Sequence, residues 1–494
     1  MLISSNKSWN LLAAFAGIFF TLAFAPFDQP YLAPISLCVL FGCWHKTTPK
    51  QAFLRGYLFG LGSFGIGVSW VYVSIHEFGG ANPLSSGLMT CLFFGFWALF
   101  PALAGYISVS IRNGDQGLKA ILVIPVVWQL IEYFRGNWML DGFPWLQSAY
   151  SQLDTPLAGY IPILGASGTG FLVALTASTV VFILQNKKHW PFLYLLLIAF
   201  WIGGSFLKTV KWTHALGNPI SVSLIQGNIS QDQKWLPENK LKTLMLYKEL
   251  TEANWNSSII VWPETSIPAY LADVQEWFLR PLSKSAEQHK ADLIVSLPTY
   301  NDLTKEKYNA VLTLGKDSAL YQKIHLLPFG EYLPWQPLSG FILNKLGMKL
   351  GNFTPGKKNQ VLLKAGGYSF KTSICYEDVF GALGIIGLPE AAYLVNVTND
   401  GWFGHSIEPY QHLQMARMRA LETGRFMLRT TNTGVTAVIG SEGKIIKQAP
   451  LFKTSVLNET IIPMGGMTPY AKLGDLPSLI VLPILFFAFA FKTH

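Results

Sequence analysis

The sequence predicts a polytopic α-helical membrane domain joined to a soluble α/β domain. Half of the 494 residues are hydrophobic and only 13% are charged, which is too apolar for a soluble enzyme of this length. Long apolar segments fill the first 210 residues and recur near the C-terminus. After Gly217-Asn218-Pro219 the pattern changes to charged segments with helical periodicity, which alternate with short β-branched runs.

The membrane domain is predicted over residues 1–210 with seven apolar segments, and an eighth segment lies within residues 474–494. The segments are residues 11–27, 31–44, 52–75, 83–111, 118–134, 157–184, 190–206 and 476–491. Each approaches or exceeds the length of a bilayer span, except 31–44, which is short. Ala23-Phe24-Ala25 resembles a signal-peptidase site, but Pro26 follows it directly, so we expect the first segment to be retained. The sequence therefore predicts about eight transmembrane helices.

Lysine and arginine are concentrated in alternate loops, which predicts the orientation. One set of loops contains Lys7, Lys46, Lys50, Arg55, Arg112, Lys119, Lys187, Lys188 and Lys492, whereas the other contains only Arg135. By the positive-inside rule both termini are predicted to be cytoplasmic, and residues 215–470 to be extracytoplasmic. Lys208 and Lys211 run against this pattern, but they open a long domain, for which the rule is weak.

The outer loop at residues 136–156 is unusually apolar. Its large apolar residues are Trp138, Met139, Phe143, Trp145, Leu146 and Tyr150. One interpretation is an aromatic belt at the membrane interface. The other is an exposed, lipid-facing arm beside an active site, in which Phe143 and Trp145 contact lipid.

Residues 215–470 are long enough for one large α/β domain. The predicted strands are 220–226, 258–262, 292–297, 310–314, 319–324, 368–375, 393–397, 426–430 and 436–439. The predicted helices are 237–254, 274–290, 377–386 and 408–423.

Charge and cysteine usage narrow the function. The net charge is +9, but no run of basic residues is longer than a pair, so nucleic acid is not an expected partner. Cys38, Cys43 and Cys91 lie in apolar segments, which leaves Cys375 alone in the soluble domain without a disulfide framework.

Cys375 is the centre of the functional prediction. It follows an alternating run and precedes Glu377-Asp378, so we predict a strand-to-helix turn. Such a turn exposes the sulfur and brings backbone N–H groups and the positive end of a helix dipole near it, which favours thiolate. The alternative is that Cys375 is a small core hydrophobe.

Two more polar residues end predicted strands. Glu264 follows a β-branched run, and Lys323 ends another run. In open α/β sheets the chemistry lies beyond the carboxyl ends of strands, so Cys375, Glu264 and Lys323 could supply a nucleophile, a base and a cationic stabiliser. Any of them could instead be an ordinary loop residue, and Lys323 a solvated surface residue.

The motifs around these residues resemble the nitrilase superfamily. They are Trp262-Pro263-Glu264, Lys323-Ile324-His325-Leu326-Leu327-Pro328-Phe329-Gly330-Glu331-Tyr332 and Ile374-Cys375-Tyr376-Glu377. Together with the apolar segments, Gly142-Phe143-Pro144-Trp145-Leu146-Gln147 and Asn399-Asp400-Gly401-Trp402-Phe403-Gly404, the resemblance narrows to the apolipoprotein N-acyltransferase family of bacterial inner membranes. It implies an αββα sandwich with a Glu-Lys-Cys triad in the periplasm of a Gram-negative cell.

The resemblance also implies roles for individual residues. Cys375 would be the nucleophile, Glu264 the general base and Lys323 the stabiliser of the oxyanion, with Glu331 positioning Lys323. The backbone N–H of Tyr376 is a candidate second oxyanion donor. Trp235, Asn309, Tyr376 and Glu377 match family positions near the active site, although packing roles are the alternative, and Asn399–Gly404 could be a plain turn.

The reaction implied by the resemblance needs no cofactor and no metal. A phospholipid, phosphatidylethanolamine in this family, would acylate Cys375, and an S-diacylglyceryl apolipoprotein would accept the acyl chain in a ping-pong cycle run by a monomer. A membrane-anchored amidase using the same triad is a second hypothesis. A polytopic transporter or scaffold is a third, disfavoured because the apolar segments carry few charges, Glu132 being an exception.

Overall fold

The computed structural model describes residues 6–112, 118–185, 190–334, 340 and 352–490. The chain forms two compact units. A helical unit contains Met1–Tyr72, Asn82–Val210 and Leu473–His494, and an α/β unit contains Val73–Ala81 and Lys211–Lys472. Lys187, Lys188 and Lys492, which the predicted orientation uses, lie outside the described residues.

Each of the eight predicted apolar segments contains an α-helix, although residues 22–27 and 68–70 form turns. The α-helices are Asn6–Thr21, Leu32–Cys43, Pro49–Gly67, Val71–Val73, Pro83–Trp97, Leu99–Arg112, Leu118–Asn137, Ile161–Gln185, Trp190–Leu207 and Leu476–Ala490. Single 3₁₀ turns are Met139–Asp141, Ser148–Gln152 and Pro156–Tyr160, and Ser74–Phe78 is a π-helical turn. The third predicted segment is not continuous, because Pro49–Gly67 and Val71–Phe78 meet at a bend of 61°.

Helix length and composition give a smaller number of spans than the sequence predicts. Among the described residues, Pro83–Arg112 and Pro156–Gln185 are long and apolar enough to cross a membrane, and the bent pair would be a third span. Leu32–Cys43, Pro191–Leu207 and Leu476–Ala490 are apolar but shorter. The predicted number of about eight crossings is therefore not confirmed by these helices and stays a prediction.

The loop at residues 136–156 does not form an exposed arm. Phe143 and Trp145 are buried and their rings stack at 5.4 Å, while Phe143 also stacks on Trp97 at 4.8 Å. Arg135 holds the turn by donating to the carbonyls of Phe143 and Trp145 at 2.6 and 2.8 Å. Of the large aromatic side chains predicted to be exposed in this loop, only that of Trp138 is. The others are buried, because large aromatic rings gain more free energy from burial than from contact with the surroundings of the protein.

The α/β unit contains two six-stranded sheets and a short ribbon. Its strands are β1 Thr213–Ala215, β2 Ile220–Gln226, β3 Ile259–Val261, β4 Asp292–Asn301, β5 Glu306–Leu314, β6 Leu320–Gln322, β7 Leu363–Ala365, β8 Tyr368–Ile374, β9 Tyr393–Thr398, β10 Met427–Thr431, β11 Ala437–Ile439, β12 Ile445–Gln448, β13 Ser455–Ile461 and β14 Met464–Gly466. The first sheet has the order β13-β2-β3-β4-β5-β6 and the second β12-β11-β10-β9-β8-β7. β1 pairs with β14 in the ribbon.

Each six-stranded sheet has a parallel centre with antiparallel edges. β2, β3 and β4 are parallel, as are β8, β9 and β10. Ile259 and Val261 pack between the two sheets, whereas Ile260 packs on the outer, helix-covered face of the first sheet. Both faces of β3 are therefore buried, which explains its unbroken hydrophobic sequence.

Helices cover the outer faces of both sheets, which completes four layers. The helices of this unit are Pro237–Glu252, Leu271–Val274, Arg280–His289, Gly381–Gly384, Glu408–Thr423 and Pro469–Leu473, with 3₁₀ turns at Cys375–Val379 and Asp400–Phe403 and a π-helical turn at Gln275–Leu279. Separate buried clusters fill the space between each sheet and its helices. The unit is therefore the predicted αββα sandwich.

One predicted helix of the α/β unit is wrong. The sequence predicts a helix over 377–386, but the chain forms only the turn Cys375–Val379 and the single turn Gly381–Gly384. Gly384 and Gly387 weaken a helix here, and Gly387 adopts a positive φ of 86°.

Candidate active site

The topology brings the three predicted residues to related strand ends. β3 and β4 are parallel, and two antiparallel steps from β4 through β5 to β6 restore the direction of β3. Glu264 after β3 and Lys323 after β6 therefore lie at the same edge of the first sheet. Cys375 follows β8 of the facing sheet.

Glu264 is a buried carboxylate with one strong neutral partner. Its Oε1 accepts a hydrogen bond from Nδ2 of Asn309 at 2.7 Å. Burial raises the pKa of Glu264, Lys323 lowers it, Glu331 raises it, and Lys234 and Asn309 lower it. The carboxylate is thus more basic than an exposed glutamate, as a general base requires.

Lys323 is a buried ammonium held between acidic groups. Its Nζ lies 2.7 Å from Oε2 of Glu331, and the same oxygen accepts the backbone N–H of Leu327 at 2.8 Å. Burial opposes the charge, but Glu331, Glu264 and Cys375 together raise the pKa of Lys323, so the cation persists. Asn309 also donates to Glu331 at 3.2 Å and so connects both glutamates.

Cys375 is partly buried and occupies strained backbone. Its φ is +50°, which is uncommon for a residue other than glycine. Its carbonyl accepts from Nδ2 of Asn396 at 3.4 Å. Burial and then Glu264 raise the pKa of the thiol well above its ordinary value, while Lys323 lowers it.

The expectation that the turn favours a resting thiolate is therefore wrong. The helix that should have provided a dipole is a single 3₁₀ turn, and burial beside a carboxylate favours the neutral thiol. The proton must leave as the sulfur attacks, which makes a neighbouring base necessary.

Glu377 joins the segments that carry Lys323 and Cys375. Its carboxylate accepts the backbone N–H groups of Ile324 at 2.6 Å, His325 at 3.1 Å and Ile374 at 2.8 Å. The hydroxyl of Tyr321 lies 3.0 Å from both carboxylate oxygens. The sequence analysis predicts that Glu377 lies near the site. The structure shows which backbone groups it binds, which no sequence pattern indicates.

A buried ion network made of Asp378, Asp400, His412 and Arg429 lies behind the Cys375 turn. His412 donates from Nε2 to Asp378 at 2.7 Å and from Nδ1 to Asp400 at 3.0 Å. Arg429 donates to the same two carboxylates at 2.9 and 3.2 Å and to Asn396 at 2.7 Å. Although burial and Arg429 oppose it, the two aspartates raise the pKa of His412 to about 10. The network therefore balances two cations with two anions.

The described residues contain one candidate metal-binding cluster, formed by Asp400, Glu408 and His412. Their potential ligand atoms lie within 4.8 Å of one another. Both ring nitrogens of His412 already face carboxylates. Burial and then Asp400 raise the pKa of Glu408 well above its ordinary value, which keeps this side chain neutral. A divalent ion would have to displace a proton from His412 beside Arg429, so this donor set fits an internal ion network and not a metal site.

The other predicted residues are placed as follows. Trp235 is 52% exposed, and Tyr376 is buried with its ring 5.2 Å from that of Phe380. Phe143 and Trp145 belong to the helical unit. Sequence reasoning missed Lys234, which is 3% exposed and donates from Nζ to the backbone carbonyl of Glu264 at 3.1 Å. Its position next to Trp235 was the only signal available.

Comparison with known proteins places both units in one family. Residues 16–179 match the model of the apolipoprotein N-acyltransferase N-terminal domain, and residues 221–466 match the carbon-nitrogen hydrolase model. An apolipoprotein N-acyltransferase of Methylococcus capsulatus is 48% identical over 470 residues, covering 95% of this chain and 93% of the relative. One from Nitrosomonas europaea is 40% identical over 474 residues, covering 95% of each chain.

A solved structure is similar to part of this chain. Saccharomyces cerevisiae Nit3, a member of branch 10 of the nitrilase superfamily, is 18% identical with a TM-score of 0.37 and covers 51% of this chain and 93% of its own.

Proposed function

The chain belongs to the apolipoprotein N-acyltransferase family and is a membrane-associated acyltransferase, and on that premise we propose that it carries a fatty acyl chain on Cys375. The donor is a membrane phospholipid, with phosphatidylethanolamine as the first candidate. The acceptor is the α-amino group of an N-terminal S-diacylglyceryl-cysteine. Glu264 acts as the general base and Lys323 as the oxyanion stabiliser.

In the first half-reaction the sulfur of Cys375 attacks the ester carbonyl of the phospholipid. The thiol proton moves to Glu264, whose raised pKa suits it to this transfer. The ammonium of Lys323 stabilises the negative charge that develops on the carbonyl oxygen. The ester C–O bond then breaks, Glu264 returns the proton to the leaving alkoxide, and a lysophospholipid and a Cys375 thioester result.

In the second half-reaction the neutral α-amino group of the lipoprotein attacks the thioester. Glu264 takes a proton from the nitrogen, and the C–S bond breaks to give an amide. The departing sulfur takes the proton back from Glu264, which restores the starting enzyme. Both substrates use one carrier, so the first product leaves before the second substrate reacts, as in a ping-pong cycle.

The proposal also assigns a location. The helical unit anchors the enzyme in the inner membrane of a Gram-negative cell, with about eight crossings and both termini in the cytoplasm. Residues 215–470 then face the periplasm, where exported lipoproteins are found. Lipid-anchored substrates give the membrane domain a physical purpose, because acyl chains need not cross water to reach the site.

The observation that carries the proposal is a chain of buried contacts, in which Lys323 lies 2.7 Å from Glu331 and Asn309 donates to Glu264 at 2.7 Å and to Glu331 at 3.2 Å. Glu264 and Lys323 each shift the pKa of Cys375, and Cys375 and Glu264 both help to keep Lys323 charged. Such influence requires proximity inside a buried site. The same side chains sit at the strand ends where the sequence places them.

The test is the intact mass of the purified enzyme after incubation with phosphatidylethanolamine alone. We expect one fatty-acyl increment on Cys375, one equivalent of lysophospholipid, and loss of the increment when a diacylglyceryl peptide with a free amine is added. The variant Cys375→Ser should lose at least about 100-fold in rate, because an alcohol is much less acidic than a thiol.

Two outcomes would reject the proposal. Lysophospholipid release that requires the acceptor would mean that both substrates bind together. Rapid hydrolysis of small amides without any phospholipid turnover would indicate the amidase that shares this triad.

A further inference from the structure

The peptide group between Glu264 and Thr265 is fixed at both of its polar atoms by side chains from other parts of the unit. Its carbonyl oxygen accepts from Nζ of Lys234 at 3.1 Å. Its N–H donates to Oγ of Ser296 at 3.0 Å. Ser296 lies on β4, and Lys234 lies in the loop between β2 and the helix Pro237–Glu252.

This peptide group requires fixing because the backbone turns sharply there. Thr265 has a φ of +48°, which is a strained conformation for a β-branched residue. Strained backbone persists only where neighbouring groups determine it. The two hydrogen bonds therefore hold the strained backbone from which the side chain of Glu264 reaches Asn309.

Lys234 differs from Ser296 in carrying a charge. Its side chain is buried, and the bond to Glu264 is the only side-chain hydrogen bond that Nζ makes to the described residues. The charged groups that act on Glu264 are Lys323, Glu331 and Lys234. Burial lowers the pKa of Lys234 to about 8, although Glu264 opposes this shift, so the ammonium form dominates at neutral pH and below.

We propose that Lys234 is a positioning residue for the base Glu264, acting both as a hydrogen-bond donor that orients the backbone of Glu264 and as a cation that keeps its carboxylate ionised. This inference rests on the proposed acyl transfer. It also explains why two adjacent residues of this loop differ in exposure. Trp235 faces solvent, whereas Lys234 is buried because its Nζ binds the backbone of Glu264.

Two substitutions separate the donor from the charge. Lys234→Gln keeps a hydrogen-bond donor without a charge, and Lys234→Met removes both at similar length. The measurement is the single-turnover rate of Cys375 acylation by phosphatidylethanolamine between pH 5 and 9, followed by intact mass. We expect the acidic limb of the profile to move to higher pH in both variants, because Glu264 loses a neighbouring cation.

The plateau rates distinguish the variants further. Lys234→Met should lower the plateau at least tenfold, whereas Lys234→Gln should stay within about threefold of the wild type. Ser296→Ala should lower the plateau without moving the acidic limb, because it removes a hydrogen bond and no charge. Lys242→Met, at an exposed lysine of the adjacent helix, is the matched control and should change neither.

A plateau in Lys234→Met within twofold of the wild type, or an acidic limb that does not move, would overturn the inference. A thermal midpoint in detergent close to that of the wild type verifies that each variant is folded. If the wild type itself forms no acyl-enzyme, the proposed function fails and the role of Lys234 in it falls with it. Normal wild-type acylation combined with unchanged variants rejects the role of Lys234 alone.

Discussion

Glu377 shows how one side chain can hold together the segments that carry Lys323 and Cys375. It accepts backbone N–H groups next to Lys323 and next to Cys375, and these donors come from facing sheets. Burial raises the pKa of Glu377, whereas Lys371 and then Lys323 lower it. The carboxylate of Glu377 therefore fixes the segment of the proposed nucleophile, Cys375, relative to the segment of Lys323.

We predict that Glu377→Gln lowers the acylation rate by about 100-fold, because a displacement of about 1 Å in a reacting group has that effect. Ile374 and Ile324 donate to different oxygens of Glu377. Glutamine has only one oxygen, and its amide nitrogen cannot accept a hydrogen bond, so one of these two bonds is lost. Hydrogen bonds to charged groups contribute about 1.5–3 kcal/mol each, so the thermal midpoint should also fall. Glu442→Gln, at an exposed position, is the control. A Glu377→Gln enzyme of normal rate would show that the two segments keep their places without it.

The sequence predicted the positions of the proposed catalytic residues better than the residues that support them. Glu264, Lys323 and Cys375 follow apolar runs that end abruptly, and their chemical types form a recognisable set. Lys234 and Ser296 carry no such signal, because their importance depends on which backbone atoms come within 3.1 Å after folding. The resting state of Cys375 was predicted wrongly because burial cannot be read from a strand-to-turn pattern.

At the scale of elements, the helix Glu408–Thr423 and strand β10 meet through the buried ion network. His412 on the helix and Arg429 on the strand bind Asp378, which lies three residues after Cys375. Breaking a buried pair by removing one partner costs about 3–5 kcal/mol, since the remaining charge has no compensation. The network therefore couples packing of the helix to the shape of the turn Cys375–Val379.

This network predicts a pH dependence of stability. Folding raises the pKa of His412 from 6.5 to about 10, so the folded state holds this proton more tightly than the unfolded state. The contribution is complete below about pH 6.5 and is lost as the pH rises through about 10. We expect the thermal midpoint in detergent to fall across this range. His412→Gln should be less stable at pH 7 and should show a flatter dependence, unlike His289→Gln at an exposed position. Equal slopes for wild type and His412→Gln would mean that other groups set the dependence.

Strand prediction succeeded at the centre of each sheet and failed at several edges. The central strands β2, β3, β4, β8, β9 and β10 were all predicted from their apolar residues. The sequence analysis missed the edge strands β7, β12 and β13 and the ribbon strands β1 and β14, because strands with an exposed face carry little apolar pattern. The bend in the third apolar segment was also missed, since no proline marks it.

At the scale of the whole molecule, the orientation can be tested by fusion to alkaline phosphatase, which is active only outside the cytoplasm. A fusion after Lys357 should be active and one after Lys46 inactive, because the positive-inside rule places these residues on opposite sides. A fusion after Asp154 should also be active, as its loop contains one arginine only. The reverse pattern would place the proposed site in the cytoplasm, away from exported lipoproteins.

The segment Val73–Ala81 lies within residues 1–210, which the sequence assigns to the membrane domain, but it packs in the α/β unit. It lies between apolar helices, yet it belongs to the α/β unit, where the ring of Phe78 packs against that of Trp402 at 5.4 Å. Residues 215–470 expressed alone would lack this segment. Trp402 follows β9 in the Asn399–Gly404 turn, so the missing contact is close to the ion network.

The pairing of β2 with β13 has a consequence for biosynthesis. Ile220 is opposite Ile461, so the sheet that carries Glu264 joins residues about 240 positions apart. At a synthesis rate of about 5–20 residues per second, β2 waits on the order of 10 to 50 s for its neighbour. During that time its open edge can pair with other chains. A chaperone that shields exposed strands would therefore raise the yield of active enzyme, whereas ribosome stalling before codon 455 would leave a fragment open to proteolysis.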